Sequence, residues 1–186
     1  MCPAHRESVS ERRQRRAAVD DPQVVLNAAA RFLETRPRSV TEVRRRLVGA
    51  GYRRELVQGA IDRLLELGIL DDEAFARSWV ESRDRARPRG ERAIREELRM
   101  KGIDRATIDV VLEERRSGEG AEPDRDAAVR LLERNARSLA RVADPRQRRA
   151  RAYALLARNG FDPYVCREVA ARVVDLDDSE ATPETR

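Results

Sequence analysis

The sequence has few of the residues from which most catalytic and metal sites are built. It contains one histidine, His5, and two cysteines, Cys2 and Cys166. Nucleophilic triads and dyads need a histidine beside the nucleophile, and a structural zinc site needs several Cys or His ligands. His5 falls in a polar N-terminal segment, and Cys166 falls at an apolar position of a helical pattern. We therefore expect no enzymatic activity, no metal and no cofactor.

Long apolar runs, phosphate-binding loops and aromatic side chains are also scarce. No stretch approaches the roughly 20 apolar residues of a membrane-spanning helix, and the N-terminus has no apolar signal core. No glycine-rich stretch has the strand before it and the Lys-Ser/Thr after it that a nucleotide loop requires. Aromatic residues make up 4% of the chain, too few for a platform that stacks single-stranded bases. We expect a soluble, cytoplasmic, monomeric protein that binds no membrane.

Charged side chains, by contrast, are abundant. They make up 39% of the chain, and the formal net charge is +5 with a pI near 9.9. Lys101 is the only lysine, so 38 of the 39 basic residues are arginine. A GC-rich genome is one explanation for this bias, but arginine also binds phosphates and carboxylates through two parallel hydrogen bonds, which lysine cannot do. The balance indicates a mild preference for anionic partners.

Three copies of one helical pattern account for most of the chain. They align on Gly51, Gly102 and Gly160, each followed by a large apolar residue and preceded at the fourth position by a leucine. A glycine just past a helix end adopts the left-handed conformation, and the next residue packs back on the helix. Each copy therefore predicts a helix, a glycine stop and a further helix. Three unrelated junctions are the alternative, but matching apolar offsets on both sides favour a repeat.

An upstream helix completes each copy, so we predict an all-α fold of three tandem three-helix repeats in an elongated, curved array. The expected segments are a disordered basic head at 1–21, repeat 1 at 22–70, repeat 2 at 71–116, a flexible linker at 117–124, repeat 3 at 125–175 and an acidic tail at 176–186. The connection between repeats 1 and 2 has almost no extra residues, whereas the linker between repeats 2 and 3 is rich in Gly and Glu. Repeats 1 and 2 should therefore pack firmly, and repeat 3 should be more mobile.

Basic residues cluster in repeats 2 and 3. From 83 to 105 there are nine basic residues against five acids, and from 134 to 158 eight arginines against one acid. A solvated helix surface explains any single arginine, but the clusters together favour an anion-binding surface for naked DNA or an acidic protein. The candidate binding residues are Arg44, Arg83, Arg89, Arg92, Arg95, Arg99, Lys101, Arg148, Arg149, Arg151 and Arg158.

The junction of repeats 1 and 2 carries the most specific motif. The run from Leu70 to Arg83 reads LDDEAFARSWVESR, and IREEL and Lys101-Gly102-Ile103 follow it. This pattern resembles the RecX family of RecA regulators, and the similarity runs from about residue 24 to residue 174. Asn159 stands where the family usually has a basic residue, and the Arg-rich head and acidic tail also depart from the pattern. The motif residues in this sequence are Asp71, Asp72, Phe75, Trp79, Gly102, Gly160 and Phe161.

The resemblance implies a curved array of three-helix repeats that binds RecA. Members of the family lodge in the groove of the RecA–DNA filament and restrain its ATPase, strand-exchange and co-protease activities, and so act in recombination, DNA repair and the SOS response. The expected partners are therefore RecA and the RecA–DNA filament, with weak DNA binding besides. The alternative is a stand-alone basic helical-repeat protein that binds DNA tightly without RecA and with steep salt dependence.

Overall fold

The computed structural model describes residues 8–117 and 122–178, with side chains as far as residue 172. All regular secondary structure in these ranges is α-helical, which confirms the predicted fold class. The helices are α1 (Val9–Ala17), α2 (Pro22–Leu33), α3 (Val40–Ala50), α4 (Arg54–Glu66), α5 (Asp72–Ala86), α6 (Glu91–Met100), α7 (Arg105–Arg116), α8 (Pro123–Arg134), α9 (Ala136–Ala140), α10 (Pro145–Arg158) and α11 (Pro163–Asp178).

The glycine stops of the three repeats have the predicted geometry. Gly51, Gly102 and Gly160 have φ angles of 106°, 81° and 81°, in the left-handed region. After Gly51 the Tyr52 amide donates to the Leu47 carbonyl at 3.3 Å, the long hydrogen bond of a Schellman cap. The sequence prediction did not include Gly68. This glycine follows α4, the last helix of repeat 1, and its φ of 65° also lies in the left-handed region.

The chain divides into two compact units, and the first contains repeat 1. Its described part is 8–75 together with the short segment 101–104. Helices α2, α3 and α4 pack against one another because each places one apolar stripe inward. The buried core of this unit is Val25, Ala29, Val43, Leu47, Val57, Ala60, Ile61, Leu64 and Leu70.

The second unit contains the rest of repeat 2 and all of repeat 3. Its described part is 76–100, 105–117 and 122–178. This grouping differs from the predicted one, in which repeats 1 and 2 pair firmly and repeat 3 is mobile. Repeat 3 also has an extra break at Asn135, which separates α8 from the short α9. The repeat 3 core is Ala127, Ala128, Leu132, Leu139, Ala152, Leu156, Phe161, Cys166, Val169 and Ala170.

Helix α1 corrects the expectation of a disordered head. Ser8 and Glu11 form a capping box, in which the Glu11 amide donates to the Ser8 hydroxyl and the Ser8 amide donates to the Glu11 carboxylate. The helix lies against the turn of repeat 1, where Arg16 donates to the Ala50 carbonyl at 3.4 Å. No residue of α1 is buried, so apolar periodicity could not reveal it. Residues 1–7 and 179–186, including most of the acidic tail, lie outside the described residues.

The predicted linker at 117–124 is shorter than expected at its C-terminal end. Helix α8 begins at Pro123, and Asp124 in its first turn accepts hydrogen bonds from the Glu91 amide at 3.1 Å and from Arg115 at 2.6 Å. These contacts tie the start of repeat 3 to repeat 2 within the second unit. The Gly-rich core of the predicted linker, 118–121, lies outside the described residues.

One joint recurs between consecutive repeats, first within unit 1. The turn that ends α6 lies on the start of α3, where the Ser39 hydroxyl donates to the Lys101 carbonyl at 2.6 Å. Beside it, the Val40 amide donates to the Asp72 carboxylate at 2.9 Å. The first turn of a helix has unsatisfied amides, so a carboxylate from the next repeat both caps α3 and fixes the turn.

The second copy of this joint lies within unit 2. The turn after α10 lies on the start of α6, where the Gly90 amide donates to the Asn159 carbonyl at 3.0 Å. The Glu91 amide donates to Asp124, in the role that Asp72 has towards Val40. In both joints the accepting carbonyl, of Lys101 or of Asn159, belongs to the residue just before a repeat glycine. The Ala50 carbonyl that Arg16 contacts has the same position, just before Gly51. Helix α1 therefore occupies, at the turn of repeat 1, the place that a preceding repeat would take.

Candidate anion-binding surface

The structure divides the predicted basic residues into those held by intramolecular ion pairs and those left open to solvent. Arg83 belongs to the first group, because its Nε lies 2.5 Å from Glu97 and its guanidinium lies 4.2 Å from the centre of the Trp79 ring. The Trp79 indole also donates to the Glu97 carboxylate at 2.8 Å, and Arg89 Nε lies 3.7 Å from the same carboxylate. The side chain of Arg83 is 14% exposed. These four residues hold α5 against α6.

Arg95 and Lys101 are also engaged in internal contacts. Arg95 pairs with Glu91 at 3.2 Å and with Asp109, and the hydrogen bond to Asp109 raises the pKa of Arg95 and lowers that of Asp109. Lys101 Nζ lies 2.6 Å from Glu42. Burial raises the pKa of Glu42, but hydrogen bonds from Lys101 and Ser39 outweigh it and lower that pKa overall.

Three more predicted residues have weaker or neutral partners. Arg99 lies 3.5 Å from Glu96 with its side chain 68% exposed, and exposed pairs of this kind contribute little to stability. Arg44 donates to the Gln58 side chain at 2.9 Å. Arg148 is half-buried and donates to the Val142 carbonyl at 3.0 Å. Arg44 and Arg99 therefore remain accessible to an anion, whereas Arg148 supports the start of α10.

Four of the predicted residues are exposed and have no carboxylate within ion-pair distance among the residues that the structure describes. They are Arg92, Arg149, Arg151 and Arg158. Arg92 lies on α6, and the other three lie on α10, whose described residues carry no acidic side chain. This difference between repeats 2 and 3 follows from composition, since acids within 83–105 pair with Arg83, Arg89, Arg95 and Arg99, whereas 134–158 has only Asp144.

A groove between α10 and α11 adds two arginines that the sequence prediction did not include. It has a volume of about 520 Å³ and is lined by Arg146, Arg149, Tyr153 and Arg167, with three alanines. Arg146 lies three residues before Arg149, so helical spacing alone could have found it. Arg167 lies on the next helix, and only the packing of α10 on α11 brings it to the same groove.

The acidic and aromatic motif residues hold the repeats together. Asp71 Oδ1 accepts from the amides of Glu73 and Ala74 at 2.8 and 2.9 Å and so caps α5. Asp72 belongs to the joint described above, and burial there raises its pKa. Phe75 and Phe161 are buried in the two units. Asp71 therefore caps its own helix, whereas Asp72 caps the start of α3.

Neither a metal-binding cluster nor a membrane-spanning helix is found among the residues that the structure describes. Among the side chains of 8–117 and 122–172, no group of three or more His, Cys, Asp or Glu is arranged to hold a metal ion. Nor does any described helix combine the length and the apolar character needed to cross a bilayer. The predicted cytoplasmic location and monomeric state stay predictions.

Comparisons with known proteins follow the same repeat boundaries. The family model for the first three-helix domain of RecX matches residues 26–64, and that for the second matches 71–112. Regulatory protein RecX of Mycolicibacterium vanbaalenii is 35% identical over 138 residues, which cover 71% of this chain and 72% of that protein. The chain belongs to the RecX family. Regulatory protein RecX of Streptomyces coelicolor is 36% identical over 149 residues, 78% of this chain and 74% of that one.

Solved structures of RecX proteins have the same fold. The crystal structure of RecX from Lactobacillus salivarius superimposes with a TM-score of 0.69 and 22% identity, covering 84% of this chain and 98% of the other. At that identity the likeness concerns the fold alone. The coverage extends beyond the two matched domains, so the fold of repeat 3 is shared with RecX as well.

Proposed function

We propose that this RecX-family protein is a non-enzymatic regulator that binds RecA and the groove of the RecA–DNA filament. In that position it restrains the ATPase, strand-exchange and co-protease activities of RecA. The observation that carries the proposal is the identity of 35% over most of the chain to a protein named regulatory protein RecX. The match of two RecX family models to residues 26–64 and 71–112 supports it further.

The open arginines of repeat 3 are the residues that we propose for contact with RecA or with exposed phosphates. Arg149, Arg151 and Arg158 are exposed and carry no internal ion pair among the described residues, so their guanidinium groups remain available to carboxylates and phosphates. Arg83 and Arg95 are weaker candidates, because a partner would first have to break their pairs with Glu97, Glu91 and Asp109. Binding across neighbouring RecA protomers would suppress the subunit movements that accompany ATP turnover.

The proposal is tested by titrating the protein into a RecA–single-stranded DNA ATPase assay. The double variant Arg149→Glu/Arg151→Glu places two acids at exposed positions of α10. Losing about 1.4 kcal/mol of binding corresponds to a tenfold higher half-inhibitory concentration, and we expect at least that shift. The double variant Arg54→Glu/Arg63→Glu makes the same charge change on exposed positions of α4 and should inhibit as the unchanged protein does.

The results separate three outcomes. Equal inhibition by both double variants and the unchanged protein would contradict the assignment of α10, but would leave the action on RecA intact. No inhibition by the unchanged protein at any concentration would contradict the proposed function itself. Tight, steeply salt-dependent DNA binding without any effect on RecA would instead support the stand-alone DNA-binding alternative.

A further inference from the structure

Helix α1 and helix α3 enclose a groove lined by arginine in unit 1. Its volume is about 710 Å³, and five of its ten lining residues are arginines. Three of them belong to α1 and two to α3: Arg12, Arg13, Arg16, Arg45 and Arg46. The groove exists because α1 lies against the turn of repeat 1, in the place of a preceding repeat. It therefore depends on the head, the segment that departs from the RecX pattern.

Only part of the positive charge of this groove is compensated by contacts among the described residues. Glu42 is the single carboxylate in its lining, and that side chain is 17% exposed and already paired with Lys101 at 2.6 Å and Arg36 at 3.5 Å. Arg45 and Arg46 are exposed and have no carboxylate within ion-pair distance among the described residues. Several like charges around one open groove repel one another, and this repulsion is relieved when an anion binds.

Guanidinium groups lie over the two aromatic rings near the groove, Phe32 and Tyr52. Those of Arg38 and Arg46 lie 4.3 and 5.7 Å from the centre of the Phe32 ring. The Arg16 guanidinium lies 5.7 Å from the centre of the Tyr52 ring. Neither ring is left free to stack on a base, and neither offers the apolar anchor that an inserted protein segment uses. What the groove offers a ligand is chiefly a set of charged hydrogen-bond donors.

We propose that this groove binds the sugar–phosphate backbone of a nucleic acid strand, without regard to base sequence. Arginine forks match phosphate oxygens, and phosphate contacts alone are enough for sequence-independent affinity. An acidic protein segment would also carry negative charge, but stable protein interfaces bury an apolar core, and the one large exposed apolar side chain in the described lining of this groove is Val9. The site is separate from the arginines of α10, and the proposal does not depend on the action on RecA.

The test measures binding of a fluorescein-labelled dT20 strand to the full chain by fluorescence anisotropy over a series of NaCl concentrations, with RecA absent. For single strands, the slope of log K against log salt changes by about 0.7 for each phosphate contact, so Arg45→Gln/Arg46→Gln should flatten it by about 1.4. The matched variant Arg54→Gln/Arg63→Gln removes the same charge from α4 and should leave the slope nearly unchanged. A dA20 strand should give the same result as dT20.

Each other outcome overturns the proposal in a recognisable way. Equal flattening by the two double variants would mean that net charge, and not the groove, attracts the strand. Unchanged dT20 binding together with lost binding of a poly-glutamate peptide would assign the groove to acidic protein segments.

A third variant, Arg13→Gln, alters the groove from α1 and should flatten the slope by about half as much as the double variant. Circular dichroism is the control that checks that each variant is folded.

Discussion

At the scale of single residues, the repeat glycines are defined by both backbone conformation and contact. Gly102 has a φ of 81°, and a Cβ at this position would lie 2.2 Å from the Thr41 hydroxyl oxygen and 2.5 Å from the Thr41 Cβ. Gly160 has the same φ, and a Cβ there would lie 2.5 Å from the Ala93 Cβ. The glycines therefore end helices and also let the turn of one repeat approach the one before it.

Replacing one of these glycines should destabilise the protein. Gly102→Ala meets the left-handed conformation, which costs an alanine about 1–2 kcal/mol, and the clash with Thr41 adds to that. Gly59→Ala is the control, because this glycine lies inside α4 and an added Cβ meets nothing within 4 Å. That change should stabilise the fold by about 0.5–1 kcal/mol. Urea unfolding measures the free energy of unfolding of both variants. Equal changes of the same sign would contradict the proposed role of Gly102.

At the scale of helices, α1 shows how an element can form without an apolar stripe. None of its residues is buried, and most of its side chains are charged or polar. Its stability comes from the capping box of Ser8 and Glu11 and from polar contacts such as that of Arg16 with the Ala50 carbonyl. Capping the N-terminus satisfies amides that would otherwise bind only water. We expect α1 to open more easily than α2, α3 and α4, which share a buried core.

The Ser8 cap can be tested by substitution. Ser8→Ala should destabilise α1 by about 0.5–2 kcal/mol and speed the amide hydrogen exchange of residues 9–17. Global stability should hardly change, because α1 buries no side chain in the core. The control Ser10→Ala lies inside the same helix, where alanine is the better helix former, so exchange should slow or stay the same. Faster exchange in both variants would contradict the role of the cap.

At the scale of the whole molecule, the grouping of repeats depends on charged side chains. In unit 2, Arg115 of α7 pairs with Asp84 of α5 at 2.8 Å and with Asp124 of α8 at 2.6 Å. Its side chain is 5% exposed. Arg134 adds a bond to the Ala86 carbonyl at the end of α5, at 2.5 Å. These contacts join repeats 2 and 3, so we expect the two to unfold together.

Arg115→Leu tests this joint, because it leaves two carboxylates without their buried partner. Breaking a buried pair from one side costs about 3–5 kcal/mol. Arg116→Leu is the matched control, since Arg116 also pairs with two carboxylates, Glu91 and Glu113, but its side chain is 44% exposed. Exposed pairs contribute about 0–1 kcal/mol, so the control should change little. Similar losses for both variants in urea unfolding would show that burial does not distinguish them.

Local chemistry in the sequence was sufficient for the fold class, for the helix–glycine–helix repeats and for the RecX resemblance. Helix periodicity and glycine stops act within a few residues, so Gly51, Gly102 and Gly160 could be read directly. The capping box at Ser8 was equally local, but α1 has no apolar stripe to go with it, and the head was predicted to be disordered. Its position against Ala50 depends on tertiary contact.

Only the tertiary structure decided which charges are free. Arg95 and Arg149 look alike in sequence, yet Arg95 is paired with Glu91 and Asp109 while Arg149 faces an open groove with Arg167. The grouping of repeat 2 with repeat 3 likewise depends on Arg115, whose partners lie 31 and 9 positions away. The reason is physical: an ion pair depends on distance in space, and composition records how many charges a chain has but not which of them meet.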